Sequence, residues 1–153
     1  MKILFVCTHN RCRSILCEAI ANHFSAGILD ARSAGSQPAG AVHPLTLSHL
    51  QQAGIAVDGL ASQSWDELAA FEAEVVITVC NNAAGEACPA WLGPALKSHW
   101  DLADPTALDA SREDIDEAFR TTIELITARI HELKRIATLP RDHWPEALNT
   151  LED

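Results

Sequence analysis

Cys7-Thr8-His9-Asn10-Arg11-Cys12-Arg13-Ser14 puts the Cys7 thiol and the fixed cation of Arg13 in one short polar stretch with five residues between them. It comes directly after the apolar run Ile3-Leu4-Phe5-Val6. If the run is a buried strand and a helix opens near Ser14, the backbone between them must turn. The N–H groups of that turn and the positive end of the helix can then converge on one tetrahedral anion. Cys7 would sit at the floor of the anion site. The Arg13 charge, the loop amides and the Ser14 hydroxyl all favour thiolate over thiol, so the expectation is a Cys7 pKa below the free-cysteine value of about 8.5. The chemistry this allows is nucleophilic attack by sulfur on a bound oxyanion.

A second thiol group is placed by the same logic. Val75-Val76-Ile77-Thr78-Val79 is an unbroken, largely β-branched run, the pattern of a parallel strand buried on both faces, and Cys80 follows it as Cys7 follows Val6. Sites in open parallel sheets gather beyond the carboxyl ends of the strands. If both runs are strands of one sheet, both thiols emerge at one edge. Cys88 lies eight positions further on, across a stretch of small residues containing Gly85 that can bend enough to bring Cys80 and Cys88 within disulfide reach. Cys12, inside the first loop, and Cys17, in the first helix, read as small buried residues.

The Cys-x5-Arg spacing resembles the phosphate loop of the low-molecular-weight phosphatase fold, shared by small protein tyrosine phosphatases and one class of arsenate reductases. Cys7 and Arg13 match that motif, as do the loop-shaping residues Asn10, Cys12 and Ser14. The resemblance implies an oxyanion site formed by Thr8, His9, Asn10, Arg11, Cys12, Arg13 and Ser14. Arg11 departs from the pattern, standing where the reductases carry a small residue such as serine. His9 is expected to expose its side chain.

Cys7, Cys80 and Cys88 together resemble the thiol relay of thioredoxin-coupled arsenate reductases. By that resemblance Cys7 is the nucleophile, and Cys80 and Cys88 are the two resolving cysteines. An acid should stand over the loop to protonate the departing oxygen. Asp104-Pro105 resembles the Asp-Pro pair that carries this role in the fold, with Asp101 as its competitor. The implied activity is reduction of arsenate to arsenite with no metal or organic cofactor. Phosphate or sulfate would compete for the loop, and a thioredoxin- or glutaredoxin-type protein or a small thiol would be the reductant.

Two other functions share part of the pattern. A tyrosine phosphatase would need Cys7, Arg13 and Asp104 but neither Cys80 nor Cys88, and such enzymes carry tyrosines near the Asp-Pro pair, whereas this chain has none. A non-catalytic oxyanion sensor would leave the extra thiols without a role.

The elements that must hold these residues follow from periodicity. Strands are expected at 2–6, 29–34, 75–79 and near 96–100, and helices at 14–25 and from His43-Pro44 to Gly54. A short helix should start at the capping-box sequence Ser64-Trp65-Asp66-Glu67. The longest helix should cover 112–137, where Ile115, Phe119, Ile123, Ile126, Ile130 and Leu133 recur at three- and four-residue steps. This alternation predicts an open, parallel, four-stranded α/β sheet with helices on both faces. Residues 1–139 form the phosphatase-like domain, and 140–153 are read as a tail with room for a short helix.

Composition narrows the setting. The 153 residues suit one domain. A net charge of −10 argues against nucleic acid and anionic membrane as partners, and no stretch is long enough to span a bilayer. Five cysteines, an odd number, without a signal-peptide pattern fit thiol chemistry in a reducing compartment, the cytoplasm, and the resemblance to the low-molecular-weight phosphatase fold implies a monomer.

Overall fold

The computed structural model describes residues 1–80, 93–107 and 109–151. Cys88 and the proposed Cys80–Cys88 juxtaposition lie outside the described residues. Four strands, β1 (Lys2–Val6), β2 (Asp30–Ala34), β3 (Val75–Thr78) and β4 (Leu96–His99), form one sheet in the order β2-β1-β3-β4. Every pairing is parallel. In β1 the consecutive residues Ile3, Leu4, Phe5 and Val6 are all buried, and so are Val75, Val76 and Ile77 in β3. Successive strand side chains point to opposite faces, so the two central strands are covered on both.

The helices are α1 (Arg13–Phe24), α2 (Pro44–Gln52), α3 (Arg112–Ala137) and α4 (Trp144–Thr150). Proline at the start of α2 costs no helical hydrogen bond, and the ring of His43 accepts the N–H of Leu45. The Ser64 capping box forms as a pair of bonds, Asp66 N to Ser64 Oγ and Ser64 N to Glu67 Oε2, and opens a 3-10 helix at Trp65–Phe71. Ser111 caps α3 by accepting from Asp114 N. The α3 stripe buries Phe119, Ile126, Ile130, Leu133 and Ile136.

α1 packs on the sheet and against α3, and its first two turns are buried on nearly every side, from Ser14 through Ala21. This is a wider burial than one apolar face and explains the small residues Cys17, Ala19 and Ala21 there. In the tail, α4 packs on α3 and β4. Arg129 anchors it, donating to the carbonyl of Leu151 and lying over the Trp100 ring with its guanidinium 5.4 Å from the ring centre. Among the described residues no helix is long and apolar enough to cross a membrane.

Parallel register fixes the functional edge. Val6 pairs with Thr78, and Val79 N donates to Val6 O at 2.9 Å. Cys7 and Cys80 therefore leave adjacent strands within one residue of the same level, at the carboxyl end of the sheet.

Candidate active site

The loop from Cys7 to Cys12 is shaped by where its carbonyls go. Thr8 O accepts from Gln37 N (2.9 Å), His9 O from Ala39 N (2.9 Å) and Ser62 Oγ (3.2 Å), and Arg11 O from His43 N (3.0 Å) and Thr46 Oγ1 (3.2 Å). These bonds draw the loop carbonyls outward into the 35–46 and 62–63 segments. Asn10 makes the turn in the left-handed region at φ 46°, which asparagine tolerates better than most residues. Its side chain is fully buried, donating to Ser14 Oγ at 2.8 Å and accepting from Gln63 N at 2.8 Å. Cys12, at the N-cap position of α1, makes no side-chain capping bond. The first-turn N–H groups of the helix are thus left for an anion.

Gly35 is a position that the sequence marked only as part of a loop. A Cβ built there would lie 2.4 Å from Thr8 O and 2.6 Å from Cys7 O, so only glycine lets the end of β2 approach the loop so closely. Gly35 and Ser64 form an isolated parallel bridge, which ties the 62–65 segment to the same point. Gly35, Thr46, Ser62 and Gln63 hold the cradle from outside it, and nothing in their local pattern distinguishes them before the chain is folded.

A pocket enclosing about 30 Å³ is lined by Cys7, His9, Arg11, Cys12, Arg13 and Asp104. That is far below the roughly 300–1,000 Å³ of sites that engulf drug-sized ligands, and among the described residues no Phe or Trp ring lines it. Arg13 is anchored at its upper side, with Nη1 donating to Leu102 O at 3.2 Å and Nη2 3.7 Å from Asp104 Oδ2. The other carboxylate oxygen, Asp104 Oδ1, accepts from Thr106 N (2.9 Å) and Thr106 Oγ1 (2.7 Å). This leaves Oδ2 aimed toward the cradle. Asp101 is exposed and does not line the pocket. His9 and Arg11 are exposed at the rim, while Thr8, Asn10, Cys12 and Ser14 are buried.

Cys7 and Cys80 are both buried, and the Cys80 thiol lies within hydrogen-bonding reach of Cys7. Thr8 N donates to Cys80 Sγ at 3.4 Å. The expectation that the loop pulls Cys7 below the ordinary thiol range is corrected here: its pKa is pushed up. The hydrogen bond to Cys80 contributes most and burial adds to it, against the opposing charge of Arg13 and the His9 amide. Arg13 is also partly neutralised by Asp104, which the sequence argument did not weigh. Cys12 is pushed up to about 12, chiefly by burial. Cys17 is fully buried and also raised, again by desolvation.

A thiol at the floor of a strand–turn–helix anion cradle, followed by Arg13 and faced by an aspartate, on a four-stranded parallel sheet, defines a phosphate-loop enzyme. The chain belongs to the low molecular weight phosphotyrosine protein phosphatase family, which it matches over residues 2–144. Among its relatives is a glutaredoxin arsenate reductase of Synechocystis sp., 29% identical over 132 residues, 86% of this chain and 95% of that protein. A solved structure of an arsenate reductase in the phosphate binding state is 28% identical with a TM-score of 0.74, covering 90% of this chain and 98% of that one. A thioredoxin-dependent arsenate reductase of Corynebacterium glutamicum is 27% identical with a TM-score of 0.68, covering 89% of this chain and 61% of that one.

Proposed function

We propose that this protein reduces arsenate to arsenite, with Cys7 as nucleophile and Cys80 as the thiol that resolves the adduct. The observation that carries the reading is the meeting of two buried thiols at the floor of an oxyanion cradle, Cys80 within hydrogen-bonding reach of Cys7. Water-resolved phosphatase chemistry has no use for the second thiol. The arsenate reductase relatives support the same substrate.

Arsenate is held by the loop amides, the first turn of α1 and Arg13, and phosphate or sulfate competes for the same groups. Cys7 gives its proton to an oxygen of the bound arsenate dianion and its sulfur attacks arsenic, while a hydroxyl leaves as water, protonated by Asp104 Oδ2, giving a sulfur–arsenic adduct. The sulfur of Cys80 then attacks Cys7 Sγ. The S–As bond breaks with its electron pair going to arsenic, which leaves as arsenite, and a Cys7–Cys80 disulfide remains. Arsenic gains two electrons and the two thiols lose them. Cys88 next attacks Cys80, freeing Cys7 and leaving a Cys80–Cys88 disulfide for an external dithiol to reduce. The relatives divide on that reductant, one being named for glutaredoxin and one for thioredoxin. The three-thiol relay favours a thioredoxin-type protein. We place the reaction in the cytoplasm, because the catalytic thiols need a reducing compartment.

Steady-state arsenite formation with a thioredoxin system, and separately with glutathione plus glutaredoxin, tests the proposal. Turnover with thioredoxin is expected. Multiple-turnover hydrolysis of an aryl phosphate, with no arsenite formed under any reductant, would make this a phosphatase.

A further inference from the structure

The two arginines of the cradle are differently placed. Arg13 is held by Leu102 O and faces Asp104, so much of its charge is already answered within the protein. Arg11 lines the same pocket from the exposed rim, and among the described residues its guanidinium has neither an ion-pair nor a hydrogen-bond partner. Its backbone is nevertheless fixed, since Arg11 O accepts from both His43 N and Thr46 Oγ1. The structure therefore presents an unanswered cation on a rigid stem at the mouth of an anion site, in a chain of net charge −10.

Resting on the oxyanion-site reading above, we infer that Arg11 is the residue that captures the doubly charged oxyanion at the mouth of the cradle and sets its affinity. A flexible guanidinium with no internal partner can turn over the pocket and donate to the outer oxygens that the loop amides and Arg13 do not reach. It has no competing carboxylate to abandon when it does so. The charges acting on the Cys7 thiol are Arg13 and Cys80, whereas Arg11, at the rim, acts only weakly and on the buried Cys12. Its contribution should therefore fall on binding more than on the reactivity of the nucleophile. The same charge gives direction to turnover. Arsenate enters as an anion, but the arsenous acid formed from it is neutral at pH 7, so the attraction that captures the substrate does not hold the product.

The test uses inorganic phosphate as probe, with its Kd measured by isothermal titration calorimetry on the full chain at two ionic strengths. Arg11→Ser should weaken phosphate binding roughly 5- to 20-fold, the range of one solvent-exposed charge-assisted contact. Arg11→Lys should recover most of the loss. The salt dependence of Kd should be steeper for the wild-type chain than for Arg11→Ser, because exposed charges are screened over about 10 Å at 0.1 M. In arsenate reduction the same substitution should raise KM by a similar factor while kcat moves much less. Unchanged phosphate affinity in Arg11→Ser, or an equal loss in Arg11→Lys, would overturn the inference. Failure of the wild type to reduce arsenate would remove the reductase reading but leave the phosphate result to decide the role of Arg11.

Discussion

The N–H that follows Cys7 is committed to a second sulfur: Thr8 N donates to Cys80 Sγ, 3.4 Å away, with Thr8 Oγ1 3.7 Å from the same sulfur. The loop thus serves two sulfurs. Thr8 contacts Cys80 through both its amide and its hydroxyl, and the hydrogen bond between Cys80 and Cys7 is the largest cause of the raised Cys7 pKa. At rest Cys7 is held as the neutral thiol, so its proton must leave before its sulfur can attack.

Cys80→Ala should therefore lower the pKa of Cys7, since it removes the largest cause of the upward shift and leaves Arg13 and the His9 amide in place. The rate of Cys7 alkylation against pH, read on the Cys7 peptide by mass spectrometry, gives the apparent value. The variant should alkylate faster than wild type at neutral pH yet release no arsenite. An unmoved or raised alkylation midpoint would mean that burial, not Cys80, controls the nucleophile.

Asp104→Asn should slow formation of the sulfur–arsenic adduct by roughly 10²- to 10⁴-fold, the usual contribution of a positioned acid. Phosphate should bind at least as well as before, because the change also frees Arg13 from a facing carboxylate at 3.7 Å. Rapid-quench adduct formation and phosphate titration separate the two effects. A large loss in Asp101→Asn with little in Asp104→Asn would transfer the role to the exposed residue.

Cys88→Ser should release about one arsenite per enzyme and then stop, with Cys7 bridged to Cys80, because those two sulfurs supply the electrons and no third thiol passes the disulfide outward. Mass spectrometry of the quenched variant identifies the bridge. Undiminished multiple turnover with thioredoxin would remove Cys88 from the mechanism.

Much of this was legible from local pattern. The β-branched run ending at Val79, the apolar run ending at Val6 and the α3 stripe each carry their own period, and parallel register then places Cys7 and Cys80 together without further information. The missing pieces are those that depend on contacts distant in sequence. Gly35 looks like any loop glycine until the carbonyls of Cys7 and Thr8 lie against it. The direction of the Cys7 shift was misjudged for the same reason. Arg13 is visible in the motif, but what opposes it is the sulfur of a residue 73 positions later, and burial.

Gly35→Ala tests the close approach. Its Cβ would press on two backbone oxygens, not on the end of a flexible side chain, so the loop must shift or β2 must withdraw. Overpacking of this kind costs about 1–3 kcal/mol, measurable as a lower urea midpoint with an unchanged slope. Activity should fall further than stability accounts for, because the displaced carbonyls belong to Cys7 and Thr8. Wild-type kinetics in a folded Gly35→Ala variant would show the approach to be incidental.

Stability itself should decline on the alkaline side. Cys7, Cys12 and Cys17 are buried as neutral thiols with raised pKa values, the Cys12 value reaching about 12 from an ordinary value near 9. An unfolded chain releases these protons as pH passes about 9, whereas the folded chain keeps them. The folded state then binds more protons, and unfolding free energy falls as pH rises. The stability these thiols provide is fully present below pH 9 and is lost from there upward, through about 12 for Cys12. Each contributes up to about 1.4 kcal/mol per pH unit. Cys17, which lies outside the relay, is the place to measure it. Cys17→Ala should lower stability at pH 7 by a small cavity cost, yet flatten the loss between pH 9 and 11 by up to one proton's worth of slope. Urea titrations at pH 7, 9, 10 and 11 under reducing conditions read both effects, and equal alkaline slopes for the two chains would show that Cys17 ionises in the folded state as readily as in the unfolded one.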